Sequence, residues 1–370
     1  MNGRTLYEDY HKEMINRSLI SIGNNVNMKK AMRKAKNGEK ITIAYLGGSI
    51  TMERADVADS CFAISSYRYF KDNFVTGNNV NYVNAGMNGT SSLLGLIRVE
   101  RDVLQYNPDI VFVEFAVNDS KDSLHREAFE SLIIRLLQSD IQPAVVMIFV
   151  LSEAGYSCQS QMQVIGEYYD LPMISVGDAI RPEIAAERMT WADYSNDNIH
   201  PNRQGHTLVT EFIANYYEAV AAEQQGENFA IPEKHFYGNS FVNMKMLDSR
   251  NVQLISAGSY VEKYTINEFK YGWIHTANER NDSFTMKLTC KYLFIVYAEN
   301  NDENAGDAEV YVDGILKSIM SGFRILGWNN PAIRLVFQED ISKEHTIKIK
   351  MSKGDETKSF NILAFGYSEE

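Results

Sequence analysis

The stretch "AYLGGSIT", residues 44–51, places Ser49 at the end of an apolar run, behind two glycines that let the backbone turn sharply and keep bulk away from the hydroxyl. An alcohol there becomes a nucleophile only if a base takes its proton and donors meet the charge that develops on the attacked group. A base is on offer in "DNIHPN", where Asp197 and His200 lie three residues apart and Pro201 forces His200 to be extended. At that spacing the carboxylate can hold the imidazole in one tautomer while the other ring nitrogen faces the alcohol. Two donors come from elsewhere: the N–H of Gly89 in "NAGMNGTSS" and the side-chain amide of Asn118 in "EFAVND". The N–H of Ser49 itself adds a third. Each feature alone has an ordinary structural meaning, as a tight turn, a loop glycine, an Asn-Asp turn or a capping pair. Together and in this order they supply what serine acyl transfer requires.

These groups meet only if several loops end at one edge. From residue 41 to about 222, the short runs "ITIAYL", "VNYVNA", "PDIVFVEFAV", "PAVVMIFVL" and "LPMISV" read as strands. Helix-length stretches near 61–74, 92–106, 123–139 and 157–170 lie between them, and a last one runs near 202–223. The alternation predicts a parallel sheet covered on both faces, a three-layer α/β domain. In such sheets ligands bind beyond the carboxyl ends of the strands, where Ser49, Gly89 and Asn118 all fall. Residues 1–40 read as an N-terminal extension. Periodicity fades over "AAEQQGENFAIPEKHFYGNS", so the domains are expected at 1–225 and 226–370. Beyond that point "FTMKLTCKYLFIVYAE", "AEVYVDGILKSIM", "AIRLVFQ", "HTIKIKMS" and "FNILAFGYS" predict an antiparallel β-sandwich with turns at "VDG" and "SKGD".

The ordered set resembles the SGNH hydrolases, or GDSL-like esterase superfamily, named for Ser, Gly, Asn and His in four sequence blocks. The resemblance covers about residues 41 to 222 and implies a flavodoxin-like sheet. It also implies Ser49, His200 and Asp197 as the catalytic set, with Ser49, Gly89 and Asn118 as the oxyanion hole. The first block departs from the common Gly-Asp-Ser wording in having Gly48 where Asp is usual. That Asp is no member of the triad, so the departure is read as of small consequence. The implied reaction is two-step ester hydrolysis through an acyl-enzyme.

Composition narrows the partners. A formal charge of −12 disfavours nucleic acid and anionic lipid, and no apolar run is long enough to span a bilayer. The polar N-terminus lacks a secretory pattern, and the thiols Cys61, Cys158 and Cys290 are isolated and odd in number, which together predict a cytoplasmic protein. No cofactor or metal is expected. The acidic stretch "ENNDENAGDAE", 299–309, lacks the spacing of a calcium loop, and of Asp193, Asp197, His200 and His206 two already belong to the serine set. A homodimer is the base-rate expectation for assembly.

For the substrate, Trp191 and Tyr194 ahead of the base, with Trp273 and Trp328 in the trailing domain, are candidate platforms for sugar rings. Chain order adds a second resemblance, to intracellular carbohydrate acetylesterases of gut bacteria, whose trailing domain is similar to carbohydrate-binding modules. It implies acetylated oligosaccharides as the substrate, with β-mannan fragments ranked first and xylan fragments second. Thioesters and aryl esters are the other enzymatic readings. A non-catalytic carbohydrate-binding protein is the reading from a different class, and the intact Ser49, Asn118, Asp197 and His200 argue against it.

Overall fold

A computed structural model describes residues 3–227, 230–264, 266–276 and 280–369. The chain divides into two units, Met1–Val242 and Asn243–Glu370.

In the first unit six strands form one sheet: β1 (Leu19–Ser21), β2 (Ile41–Gly47), β3 (Val80–Gly86), β4 (Ile110–Glu114), β5 (Ala144–Phe149) and β6 (Met173–Ser175). Every residue of β2, β4 and β5 is buried, which explains why these runs show no alternation of polar and apolar residues. The spatial order is β1-β6-β5-β4-β2-β3, with β2 to β6 parallel and β1 antiparallel at the edge. The chain leaves β2 on one side for β3 and comes back on the other side for β4. The strand order therefore reverses at β2, and a crevice opens beyond the carboxyl ends of β2 and β4.

Among the described residues eight α-helices accompany the sheet: α1 (Gly3–Ser18), α2 (Val26–Lys36), α3 (Phe62–Phe74), α4 (Ser92–Asp102), α5 (Ser123–Leu137), α6 (Gln159–Tyr168), α7 (Val176–Ala185) and α8 (Arg203–Ala222). Because the step from β2 to β3 runs opposite to the later steps, right-handed crossovers put α3 on one face and α4, α5 and α6 on the other. The last helix, α8, packs on α3, whereas α4 packs on α5 and α5 on α6.

The segment expected as an extension is part of this unit. The apolar side of α2 buries Met28, Ala31, Met32 and Ala35, β1 pairs with β6, and α1 packs on α7 with Arg17 paired to Glu183. The unit also runs past the expected boundary at 225/226. Glu130 of α5 accepts from the N–H groups of Phe236, Tyr237 and Gly238, and Glu127 accepts from that of Ser240 at 2.9 Å, so this chain stays with the α/β unit up to Val242.

The second unit is a nine-stranded antiparallel sheet. Its strands are β7 (Lys245–Leu247), β8 (Leu254–Ser256), β9 (Tyr260–Lys263), β10 (Gly272–His275), β11 (Phe284–Asn300), β12 (Asp307–Val312), β13 (Ile315–Ser321), β14 (Trp328–Met351) and β15 (Phe360–Ser368). The long strands β11 and β14 stay paired through register shifts at Cys290/Tyr292 and Leu293/Phe294, where bulges bend them. The two ends of the sheet thereby face each other across one core. Trp273 of β10 lies 5.1 Å from Phe284 of β11, and the Tyr260 hydroxyl of β9 lies 3.7 Å from the sulfur of Met351 in β14. Between β12 and β13 the turn is Asp313-Gly314, with φ of +51° and +82°, as the "VDG" signal predicts.

Candidate active site

The nucleophile turn follows directly from β2. Its backbone lies tight against β4: the Gly48 N–H donates to the Glu114 carbonyl at 3.3 Å, and a Cβ on Gly47 would fall 2.7 Å from that same oxygen. Ser49 is only 8% exposed. Below it the Thr51 hydroxyl donates to the Glu114 carboxylate at 3.0 Å, and the buried Arg98 of α4 donates to the Gly47 carbonyl at 3.1 Å. Burial pushes the Glu114 carboxyl up to about 7, against the pull of the Thr51 hydroxyl.

The base arrives from the far end of the unit, on the loop before α8. Asn202 caps that helix by accepting from the Gly205 N–H at 3.0 Å, which fixes where the loop ends. Within the loop, Ser195 Oγ lies 2.8 Å from the Asp197 carbonyl and 2.5 Å from the His200 carbonyl, closing it on itself. Asp197 Oδ1 accepts from the N–H groups of Ile199 at 2.8 Å and His200 at 2.7 Å, and Asp197 Oδ2 lies 2.8 Å from His200 Nδ1. With Nδ1–H given to the carboxylate, Nε2 is left to accept, and it lies 2.9 Å from Ser49 Oγ. Burial would raise the Asp197 carboxyl, but the two N–H groups and the imidazole outweigh it and hold it at about 2. The guanidinium of Arg54 stands 4.0 Å from the same carboxylate.

Donors for an oxyanion lie on the neighbouring strand ends. Gly89, after β3, has φ of +65°, a left-handed conformation that glycine adopts without strain. Among the described residues, neither this N–H nor that of Ser49 donates to a protein acceptor. Asn118, after β4, lays its carboxamide against Gly48, and its Nδ2 likewise has no partner among the described residues. The adjacent Asp119 is buried and accepts from the N–H and hydroxyl of Ser92, tying the Asn118 loop to the start of α4.

The candidate aromatics separate. Trp191, half-buried, donates its indole N–H to the Asp197 carbonyl at 2.6 Å and so sits at the triad loop. Tyr194, expected to meet substrate, is fully buried beneath Trp191, with its carbonyl taken by the Asn202 N–H. Trp273, also expected there, is 1% exposed because Phe284 and Phe365 enclose it in the β-domain core. Trp328 is 59% exposed on its own unit.

The other metal-like residues have structural partners. His206 is buried, accepts from the Phe62 N–H at 3.2 Å, and is pushed down to about 4 by its burial; Asp193 accepts from Thr190. Among the described residues no group of three or more His, Cys, Asp or Glu side chains is arranged to hold a metal, and no helix is long and apolar enough to cross a membrane. Sequence reasoning missed Glu114, Arg98, Ser195 and Arg54. Only the pairing of β4 with β2 and the packing of α4 show that Glu114 and Arg98 brace the serine turn.

Comparison with known proteins bears on the family and the fold. Residues 45–208 match the model of the GDSL-like lipase/acylhydrolase family. A crystal structure of a two-domain esterase (CEX) active on acetylated mannans is similar over 96% of this chain and 99% of that one, with 26% identity and a TM-score of 0.87. The same esterase co-crystallised with mannopentaose is similar over 96% of this chain and 98% of that one, with 26% identity and a TM-score of 0.85. No curated protein matches the sequence.

Proposed function

We propose, from the premise that this chain through residues 45–208 belongs to the GDSL-like lipase/acylhydrolase family and is an ester hydrolase, that it removes O-acetyl groups from acetylated oligosaccharides, β-mannan fragments first among them. The observation that carries this reading is the chain of contacts from Ser49 through His200 to Asp197, formed by residues 151 positions apart. The likeness across both domains to an esterase active on acetylated mannans supports the choice of substrate.

In the proposed reaction His200 Nε2 takes the hydroxyl proton as Ser49 Oγ attacks the acetyl carbonyl. Asp197, ionised throughout the working range, stabilises the imidazolium. The N–H groups of Ser49 and Gly89 and the Asn118 amide receive the oxyanion. As the carbon–oxygen bond to the sugar breaks, His200 returns the proton to the departing hydroxyl, leaving an acetyl ester on Ser49. Water then attacks that ester with His200 again as base, acetate departs, and the serine is restored. Trp191 beside the triad and the exposed Trp328 offer flat faces that suit sugar rings.

The test is acetate release from acetylated mannan oligosaccharides, acetylated xylan oligosaccharides and phenyl acetate. The mannan fragments should be turned over fastest, with Ser49→Ala lowering kcat on the order of 10⁴-fold or more. Turnover of phenyl acetate with no acetate from either glycan would replace the reading with a general arylesterase.

A further inference from the structure

Gly48 stands in the nucleophile turn where Asp is usual in the family, and its surroundings give it a task. Its φ is not in the left-handed region, so a positive φ does not account for the glycine. What accounts for it is space. An ideal Cβ on Gly48 would lie 2.1 Å from Asn118 Oδ1, 2.8 Å from its Cγ and 3.1 Å from its Nδ2. The three nearest obstacles thus all belong to one carboxamide, which occupies the volume a side chain would need. Asn118 Oδ1 is buried and accepts no hydrogen bond, so none to that oxygen holds the amide plane. The carboxamide lies on the side of Gly48 where a Cβ would project. The backbone of Asn118 is anchored separately, its N–H donating to the Phe115 carbonyl at 2.9 Å.

We infer that Gly48 is a positioning residue for the Asn118 amide: the missing side chain lets the carboxamide lie flat against the serine turn, with Nδ2 presented to the crevice. The inference rests on the reading of Asn118 as an oxyanion donor. A side chain at 48 leaves Ser49, His200 and Asp197 connected but turns the amide away from the developing charge. Asp, usual at this position in the family, would here require Asn118 to take another orientation.

A double-mutant cycle on the full chain tests this, with kcat and KM for phenyl acetate and the thermal midpoint measured for Gly48→Ala, Asn118→Ala and the pair. Gly48→Ala should lower kcat about tenfold or more with KM nearly unchanged. Once Asn118 is Ala the space is free, and adding Gly48→Ala should then cost less than about twofold. Equal cost of Gly48→Ala in both backgrounds, or no cost in the wild type, overturns the inference while leaving the oxyanion role of Asn118 in place. Undiminished turnover by Asn118→Ala alone overturns that role and this inference with it. If Gly48→Ala folds poorly, the double variant should recover the wild-type midpoint; a double variant that folds equally poorly also overturns the inference.

Discussion

Asn118 and the two tryptophans of the β-domain show how differently single side chains in this protein can act. Asn118 offers a free amide beside the serine turn, so Asn118→Ala should remove about 2.7–4 kcal/mol of transition-state stabilisation with little change in melting temperature. Measured as kcat/KM on acetylated mannan fragments, an unchanged value would exclude it from the site. Trp273 is enclosed by Phe284 and Phe365, and Trp273→Ala should destabilise the β-domain by about 3–5 kcal/mol in denaturant unfolding. Trp328, more than half exposed, should cost less than about 0.5 kcal/mol when replaced by Ala. Its replacement should raise KM for the acetylated glycan and leave phenyl acetate turnover unchanged. Equal KM values for the glycan would remove Trp328 from substrate binding.

At the scale of elements, the serine turn is held by β4 as much as by β2. Glu114 sits wholly inside, its carboxyl pushed up to about 7 from an ordinary value of 4.5. Between those two values the folded protein holds a proton that the unfolded chain has lost. Stability therefore falls as pH rises through that window, by on the order of 3 kcal/mol for this group. Glu114→Gln keeps an oxygen for the Thr51 hydroxyl and cannot ionise. Its melting temperature should fall less than that of the wild type between pH 5 and 8, and at pH 8 it should be the more stable protein. Parallel melting curves against pH would show that Glu114 does not titrate in that window.

The sequence carries no trace of this brace, because Glu114 closes a strand of buried apolar residues and looks like its solvent-facing end. The strands themselves were legible, since runs such as "ITIAYL" and "VVMIF" are buried on both faces and bounded by turns. Asp197 and His200 were legible because a three-residue spacing on one loop already constrains their geometry. Helix α7 was not, with Gly177 near its start and Pro182 inside it, both of which read as helix breakers. Strand β1 is three residues long and paired at a sheet edge, too short for any periodicity. Tyr194 and Trp273 carry the same residue types as a sugar platform, and only packing shows that their faces are already covered.

For the whole molecule, the position of the junction decides what an isolated α/β unit would be. Composition changes after residue 225, but the structure keeps the chain with the first unit to Val242. The reason is electrostatic. Glu130 is fully buried and accepts from three successive N–H groups at 236–238 and from the Tyr169 hydroxyl at 2.7 Å. Ending the chain at 225 removes three hydrogen bonds to the Glu130 carboxyl at once, a loss of about 3 kcal/mol at about 1 kcal/mol each. For a unit of this size that corresponds to roughly 6–12 °C in melting temperature. A fragment spanning residues 1–242 should therefore melt higher than one spanning 1–225 by that margin, measured by circular dichroism at one protein concentration. Within the longer fragment, Glu130→Ala should lower the midpoint toward that of the shorter one. Coincident midpoints for the two fragments would instead place the functional end of the unit at the change in composition, and would mean that the 236–240 segment is tethered to α5 without stabilising it.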